Sequence, residues 1–176
     1  MLIREATTGD VPTIARVHVD TWRSTYQGIM PDELLANLSY ERREQGWHHI
    51  LNNASIDHSF IYVAEEQSGQ IVGFASGAME RNGNSVYQGE LTAIYILDRY
   101  QQRGVGRQLV RAVAQKLDQM NIRSMLVWVL ASNPACRFYE TLGGQKVDEK
   151  EIERGGTKLI EIAYGWTDTS TLIQDF

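Results

Sequence analysis

With a single cysteine, Cys136, the chain cannot form an intramolecular disulfide. That excludes the small secreted scaffolds that rely on such staples in place of a large core. Long apolar runs are missing too, since no stretch approaches the roughly 18 residues of a membrane-spanning helix. Proline is scarce, at three residues, and no solenoid-length repeat or low-complexity tract is visible, so neither disorder nor a repeat array is indicated. The opening stretch MLIREATTGDVP is interrupted by Arg4, Glu5, Asp10 and Pro12 and lacks the layout of a secretory signal. The cytoplasm is the expected compartment. Positive charge is in deficit: 17 Lys and Arg against 22 Asp and Glu leave a formal net charge of −5, which speaks against a general nucleic-acid binder. His18, His48, His49 and His58 show no metal-ligand spacing, and no metal is expected. What remains is an ordinary globular balance, 43% hydrophobic and 22% charged over 176 residues, enough for one domain with a core.

Leu2 to Arg4 read as a short first strand. Asp10 is a good N-cap and Pro12 suits a first turn. Val11, Ile14, Ala15, His18 and Trp22 then recur at helical spacing, predicting a helix over 11–26 that Gly28 and Pro31 end. Two further helical pieces cover 31–38 and 41–51. Strand chemistry follows at 60–64 and 71–79, around a turn at Ser68 to Gln70, and again at 90–97. Val105, Leu109, Val110, Val113 and Leu117 mark a long amphipathic helix. The run MLVWVL, 125–130, is uniformly apolar, as in a central strand covered on both faces. A short helix over 133–142 ends at Gly143 and Gly144, and strands at 145–151 and 159–166 close the pattern. Seven strands interleaved with helices predict one mixed sheet flanked by helices, an α/β (α+β) domain over 1–166 with 167–176 as a short tail.

The most informative segment is Gln101-Gln102-Arg103-Gly104-Val105-Gly106-Arg107, which follows a strand and opens a helix. A helix N-terminus offers unpaired N–H groups and the positive end of its dipole. Gly104 and Gly106 allow close approach to the backbone, so the segment reads as a phosphate cradle. Arg99, Arg103, Arg107 and Arg111 recur every four residues and add positive charge, as a solvated helix face also would. No Gly-Lys-Ser/Thr follows the second glycine, so this is not a P-loop. Gln108 and Leu109 stand where a dinucleotide fingerprint needs its third glycine.

Gln101, Gly104 and Gly106, placed between an apolar strand and an amphipathic helix, resemble the coenzyme motif of the GNAT superfamily of N-acetyltransferases. The strand MLVWVL, the segment Asn133-Pro-Ala-Cys-Arg-Phe-Tyr139 with its Leu-Gly-Gly ending, and the opening IREATTGDVPTIARVH fall in the family's order. The resemblance covers about 2–166. It departs in two places: Asn133 and Tyr139 are six residues apart where the family often has seven, which Ser132 would satisfy, and Gly143-Gly144 stands where Gly-Phe is frequent.

The resemblance implies a GNAT fold, with a mixed, largely antiparallel sheet, and transfer of an acetyl group from acetyl-CoA to an amine by direct attack. The alternative is an acetyl-CoA sensor or interaction module without turnover. The resemblance also implies that the strand through Ile94, Tyr95 and Ile96 splays from its neighbour and pairs with the coenzyme's pantetheine arm, the Ile96 N–H polarising the carbonyl. Gln101, Gln102, Arg103, Gly104, Val105, Gly106 and Arg107 would hold the pyrophosphate, with Asn133 as a further contact. Tyr139 is the candidate general acid, the alternative being a packed core tyrosine. A phenol keeps its proton to pH ~10, so one is available for a thiolate of pKa ~8.5. Glu90 is the candidate base, the alternatives being a strand-end carboxylate and an ordered water. Cys136 has no histidine nearby in sequence and reads as a small buried filler. Trp22 and Tyr26, four apart, are candidate acceptor contacts or a core stripe. The acceptor itself stays open among polyamine, aminoglycoside, amino acid and protein N-terminus. A homodimer is a further expectation, with no interface indicated.

Overall fold

The computed structural model describes residues 1–174. Seven strands, β1 (Leu2–Glu5), β2 (Phe60–Glu65), β3 (Ile71–Met79), β4 (Gly89–Ile96), β5 (Met125–Leu130), β6 (Gln145–Arg154) and β7 (Thr157–Trp166), form one sheet in the order β1-β2-β3-β4-β5-β7-β6. Every neighbouring pair is antiparallel except β4 and β5. The helices are α1 (Val11–Tyr26), α2 (Asp32–Ala36), α3 (Tyr40–Asn52), α4 (Ala54–Asp57), α5 (Val105–Gln119), α6 (Ala135–Thr141) and α7 (Ser170–Ile173). The seven-stranded mixed sheet flanked by helices is the architecture expected of the sequence.

The apolar stripes decide which face each helix covers. Leu109, Val113 and Leu117 of α5 are buried against Val72, Ala75, Leu91 and Val127 of the sheet. On the opposite face Val11, Ile14 and Ala15 of α1, with Trp47 of α3, cover Ile61, Val63 and Phe74. A third cluster gathers Tyr26, Met30 and Leu35 on Leu130, with Ile152 and Leu159 of the β6–β7 hairpin alongside. It brings the end of α1, α2 and that hairpin together, and the end of α1 and the hairpin form one wall of the cavity described below. The segment after Trp166, expected as a tail, carries α7: the Thr169 amide donates to the Arg123 carbonyl (2.9 Å), and Leu172 is buried in the core beneath α5.

Asp10 precedes α1 as expected, but its carboxylate does not cap that helix. It accepts from Arg4 Nη1 (2.8 Å) and Nη2 (2.9 Å) and from the Thr7 amide (2.7 Å), while Arg4 Nε reaches Glu65 (2.6 Å). The network ties β1 to β2 and to the turn before α1. The Arg4 guanidinium, more than the Thr7 donors, holds Asp10 down to about 2. A depressed carboxylate stabilises the fold above its ordinary pKa of about 4, and this contribution fades as pH falls through 2. Asp10→Asn is therefore expected to cost about 1–2 kcal/mol at pH 7, a figure discounted for the part-exposed Arg4. The gap to wild type should narrow below pH ~4, as urea unfolding at pH 7 and pH 3 would show.

Candidate active site

The site starts from a break in the sheet. β4 follows β3 as far as Ile96, but it pairs with β5 only at Gly89↔Met125 and Glu90↔Leu126. Beyond Glu90 the two strands separate. A bulge sits at the divergence: Ser76 faces Ala93 while Gly77 faces Leu91, leaving Thr92 over. An extra residue of this kind bends its strand and sharpens the local twist. Thr92 is fixed there by a hydroxyl hydrogen bond with Ser76.

Separation leaves one edge of β4 without a strand partner. Leu97 N donates to Val72 O on β3, and backbone groups alternate sides along a strand. The amides of Ile94 and Ile96 consequently point into the gap. The gap is the deep part of a cavity of about 930 Å³, which runs from the start of α5 to the β6–β7 hairpin.

The loop before α5 forms one end of this cavity. Gln102 has φ 57° and Gly104 φ 80°, both left-handed. A Cβ on Gly104 would meet nothing within 4 Å, so glycine is required there by conformation, and space stands open over it. The first bond of the α5 ladder runs from Gln108 N to Gly104 O (3.1 Å), which leaves the amides of the preceding turn outside the ladder. Gly106 is needed for another reason: a Cβ would come within 3.0 Å of the Phe138 ring and 3.3 Å of Ile96. Its smallness lets α5 pack closely on α6.

Of the residues expected in the cradle, Gln101, Gln102, Gly104, Gly106 and Arg107 line the cavity. Gln101 turns its amide inward, donating to Ile96 O (2.9 Å) and Asp98 (3.2 Å), and so clips the loop to β4. Val105 is buried in the core, and Arg103 lies over the Tyr100 ring. Val105 can offer the cradle only its backbone, whereas the Arg103 side chain is exposed.

Glu90 and Tyr139, 49 positions apart in sequence, line the same cavity. Each is only 3% exposed. Glu90 is no surface carboxylate: Arg81 Nη2 and Nε grip it at 2.9 and 3.2 Å. Tyr139 rests against Phe138, Tyr164 and Trp166, and its hydroxyl has no hydrogen-bond partner among the described residues. Burial, ahead of the neighbouring Tyr95, Tyr26 and Cys136, pushes its phenol well above the ordinary range.

Asn133 is also in the cavity wall, with both ends of its amide engaged. Oδ1 accepts from Ala135 N (2.8 Å) at the start of α6, and Nδ2 donates to Tyr26 Oη (3.1 Å). The side chain expected to touch coenzyme is thus tied to a residue expected to touch the acceptor. Trp22 and Tyr26 line the cavity and meet edge to face at 4.9 Å. Asn133→Ala is expected to cost about 1 kcal/mol of stability through the lost helix-end bond. By freeing Tyr26 it should raise the acceptor KM more than the coenzyme Kd, which separate titrations of the two ligands would show.

Cys136 is half-buried and donates to Leu130 O (3.4 Å), with burial raising its thiol pKa, so it is no activated nucleophile. His18 is buried, accepts from Trp47 Nε1 (3.0 Å) and stacks on Tyr95 at 4.6 Å. Burial, with a smaller push from Arg43, lowers it to about 3, so it is neutral at ordinary pH. No metal-ligating cluster occurs among the described residues, and no helix among them is long and apolar enough to cross a membrane. Sequence reasoning passed over Arg81, Trp128, Lys150 and Arg154, all in the cavity wall. The i, i+2, i+4 placing of Lys150, Ile152 and Arg154 was the available signal, because it puts all three on one face of a strand.

A sequence profile of the acetyltransferase (GNAT) family matches residues 19–143. A protein of Bacillus subtilis (strain 168) named "Uncharacterized N-acetyltransferase YuaI" is 39% identical over 170 residues, 97% of this chain and 95% of that protein. Among solved structures, the ribosomal-protein-alanine N-acetyltransferase of Brucella melitensis superposes with a TM-score of 0.74 at 24% identity, covering 94% of this chain and 99% of the other. The PaiA N-acetyltransferase of Thermoplasma acidophilum, solved in complex with coenzyme A, gives 0.73 at 20% identity, with 91% and 96% covered. At such identities the structural likeness speaks for fold alone.

Proposed function

The chain belongs to the GNAT family of acetyltransferases, and on that premise we propose that it transfers the acetyl group of acetyl-CoA to a primary amine by direct attack within the β4–β5 cleft. The observation that carries this reading is the convergence of three features on one cavity: the unpaired edge of β4, the left-handed loop at the head of α5, and the Glu90–Tyr139 pair.

The residues present suit the coenzyme. An extended pantetheine arm would pair with the Ile94 and Ile96 amides as an added strand does. The open space over Gly104 and the amides of the first α5 turn suit a pyrophosphate. The bound coenzyme supplies a thioester as acetyl donor. The Ile96 N–H, fixed in the sheet and aimed into the gap, is placed to stabilise negative charge developing on a carbonyl oxygen. Glu90, held in orientation by Arg81, receives the proton that the amine sheds, directly or through a water. Tyr139, with its proton retained by burial, donates to the leaving sulfur. No acyl-enzyme is needed, and Cys136 has no part.

Calorimetric titration with acetyl-CoA, with CoA and ATP as controls, tests the cradle. Saturable one-site binding selective for the coenzyme is expected, followed by amine-dependent release of free thiol. A folded protein that binds no coenzyme would overturn the proposal. Binding without turnover on any amine would leave a sensor of the same fold.

A further inference from the structure

The end of the cavity away from the phosphate loop is lined by apolar groups, by Arg81, Lys150 and Arg154, and by the carboxylates Glu90 and Glu161. Lys150, Ile152 and Arg154 alternate along β6 and so share a face, and all three line the cavity. The turn that follows them is held over α2, with Gly155 packed against Leu34 and Pro31. Lys150 Nζ lies 3.8 Å from the centre of the Trp128 ring. The Trp128 Nε1–H beneath it is buried without an acceptor among the described residues, and an indole nitrogen can only donate.

The charges at this end are unbalanced. Arg81 is taken by Glu90 at 2.9 Å and Lys150 by Glu161 at 3.5 Å. Arg154 donates to the Glu153 carbonyl (3.0 Å) and meets no carboxylate among the described residues. Three cations thus face two carboxylates, in a chain whose formal net charge is −5. Asp98, the remaining carboxylate of the cavity, sits at the loop end, where Ser24 and Gln101 donate to it. Among the described residues a polycation would find no unpaired carboxylate at this end, whereas an anionic oxygen would find surplus donors. Between them Met30, Leu130 and Ile152, with the Trp22 and Tyr26 rings, offer apolar contact.

We propose that the acceptor is an amine that also bears a carboxylate on an apolar skeleton, an amino acid or a short peptide with a free C-terminus, its carboxylate received by Lys150 and Arg154. The proposal rests on the acetyltransferase reading above for the amine's fate, but not for carboxylate binding. It narrows the four acceptor classes open from sequence by setting polyamines and aminoglycosides aside.

The test compares L-leucine and leucyl-leucine with their C-terminal amides, and with spermidine. Binding is followed by calorimetry on the CoA-loaded protein and on the protein alone, and turnover by thiol release. At least one free acid should bind about tenfold more tightly than its amide, the worth of one charge-assisted contact, and spermidine should bind more weakly still. Arg154→Gln, at an exposed position, should erase most of that preference by raising the acid's KM, with the amide's KM and the coenzyme Kd unchanged. Acids and amides that bind alike, a preference for spermidine, or no binding by any acid would overturn the proposal. Failure of CoA to bind, with acids still preferred over amides, would instead sink the acetyltransferase mechanism and leave carboxylate recognition standing.

Discussion

Replacing Tyr139 by phenylalanine is expected to lower kcat by about a hundredfold while leaving the acetyl-CoA Kd within about twofold of wild type. The ring does the packing, against Phe138, Tyr164 and Trp166, and phenylalanine retains it. The hydroxyl makes no hydrogen bond among the described residues, so its removal opens no hole in a network and Tm should hardly move. What is lost is a proton at the cavity surface. Because burial raises this phenol, the wild-type rate should show no descending limb below pH ~10, the region where an unperturbed phenol begins to ionise. Tyr26 is the natural control, since it lines the same cavity but its hydroxyl already accepts from Asn133. Tyr26→Phe should act chiefly on acceptor KM. If Tyr139→Phe keeps full kcat while Tyr26→Phe loses it, the acid has been misassigned between the two. If both keep it, neither phenol protonates the sulfur.

The elements that sequence resolves well are those whose local signals agree. α1 begins and ends at the expected residues, 11 and 26, because Asp10 and Pro12 open it, Gly28 closes it, and a single apolar stripe runs between. β3 and β5 likewise match their expected bounds, being apolar and punctuated on both sides. β6 runs three residues past its expected end, to Arg154. It is an exposed edge strand of charged residues, shaped by its pairing with β7, and pairing leaves no trace in a hydrophobic pattern. α4 and α7, four residues each, are too short to show a helical period.

The site divides in the same way. Gln101, Gly104 and Gly106 are legible as a contiguous motif, and Tyr139 through its order relative to that motif. Partnerships are not legible. Nothing local announces that Arg81 would hold Glu90, or that Asn133 would reach Tyr26 across 107 positions. Lys150 and Arg154 belong to no motif in the sequence. They become cavity residues only because the β6–β7 hairpin folds over α2, bringing Ile152 and Leu159 onto Leu130 and Tyr26. The motif thus marks the loop end of the cavity, where coenzyme is proposed to bind, whereas the opposite end is assembled by tertiary contacts.

Gly104→Glu is expected to weaken coenzyme binding by more than about a hundredfold, since a carboxylate set against a pyrophosphate costs several kcal/mol. Two effects must be separated for that result to bear on the cradle. The left-handed backbone at φ 80° strains any side chain, by about 1 kcal/mol, which would lower stability whether or not a ligand binds here. A Cβ at this position meets nothing within 4 Å, so no internal clash adds to the strain. Gly104→Ala carries the strain without the charge, and it should lose stability comparably but far less affinity. Gly106→Ala is the opposite case: its Cβ would press on Phe138 at 3.0 Å, so it should disturb the α5–α6 packing before it disturbs the ligand. Calorimetry on the three variants, each checked for folding by circular dichroism, reads these contributions apart. If Gly104→Glu binds the coenzyme as tightly as Gly104→Ala, the pyrophosphate does not rest on this loop. The open space over Gly104 would then be a property of the turn alone.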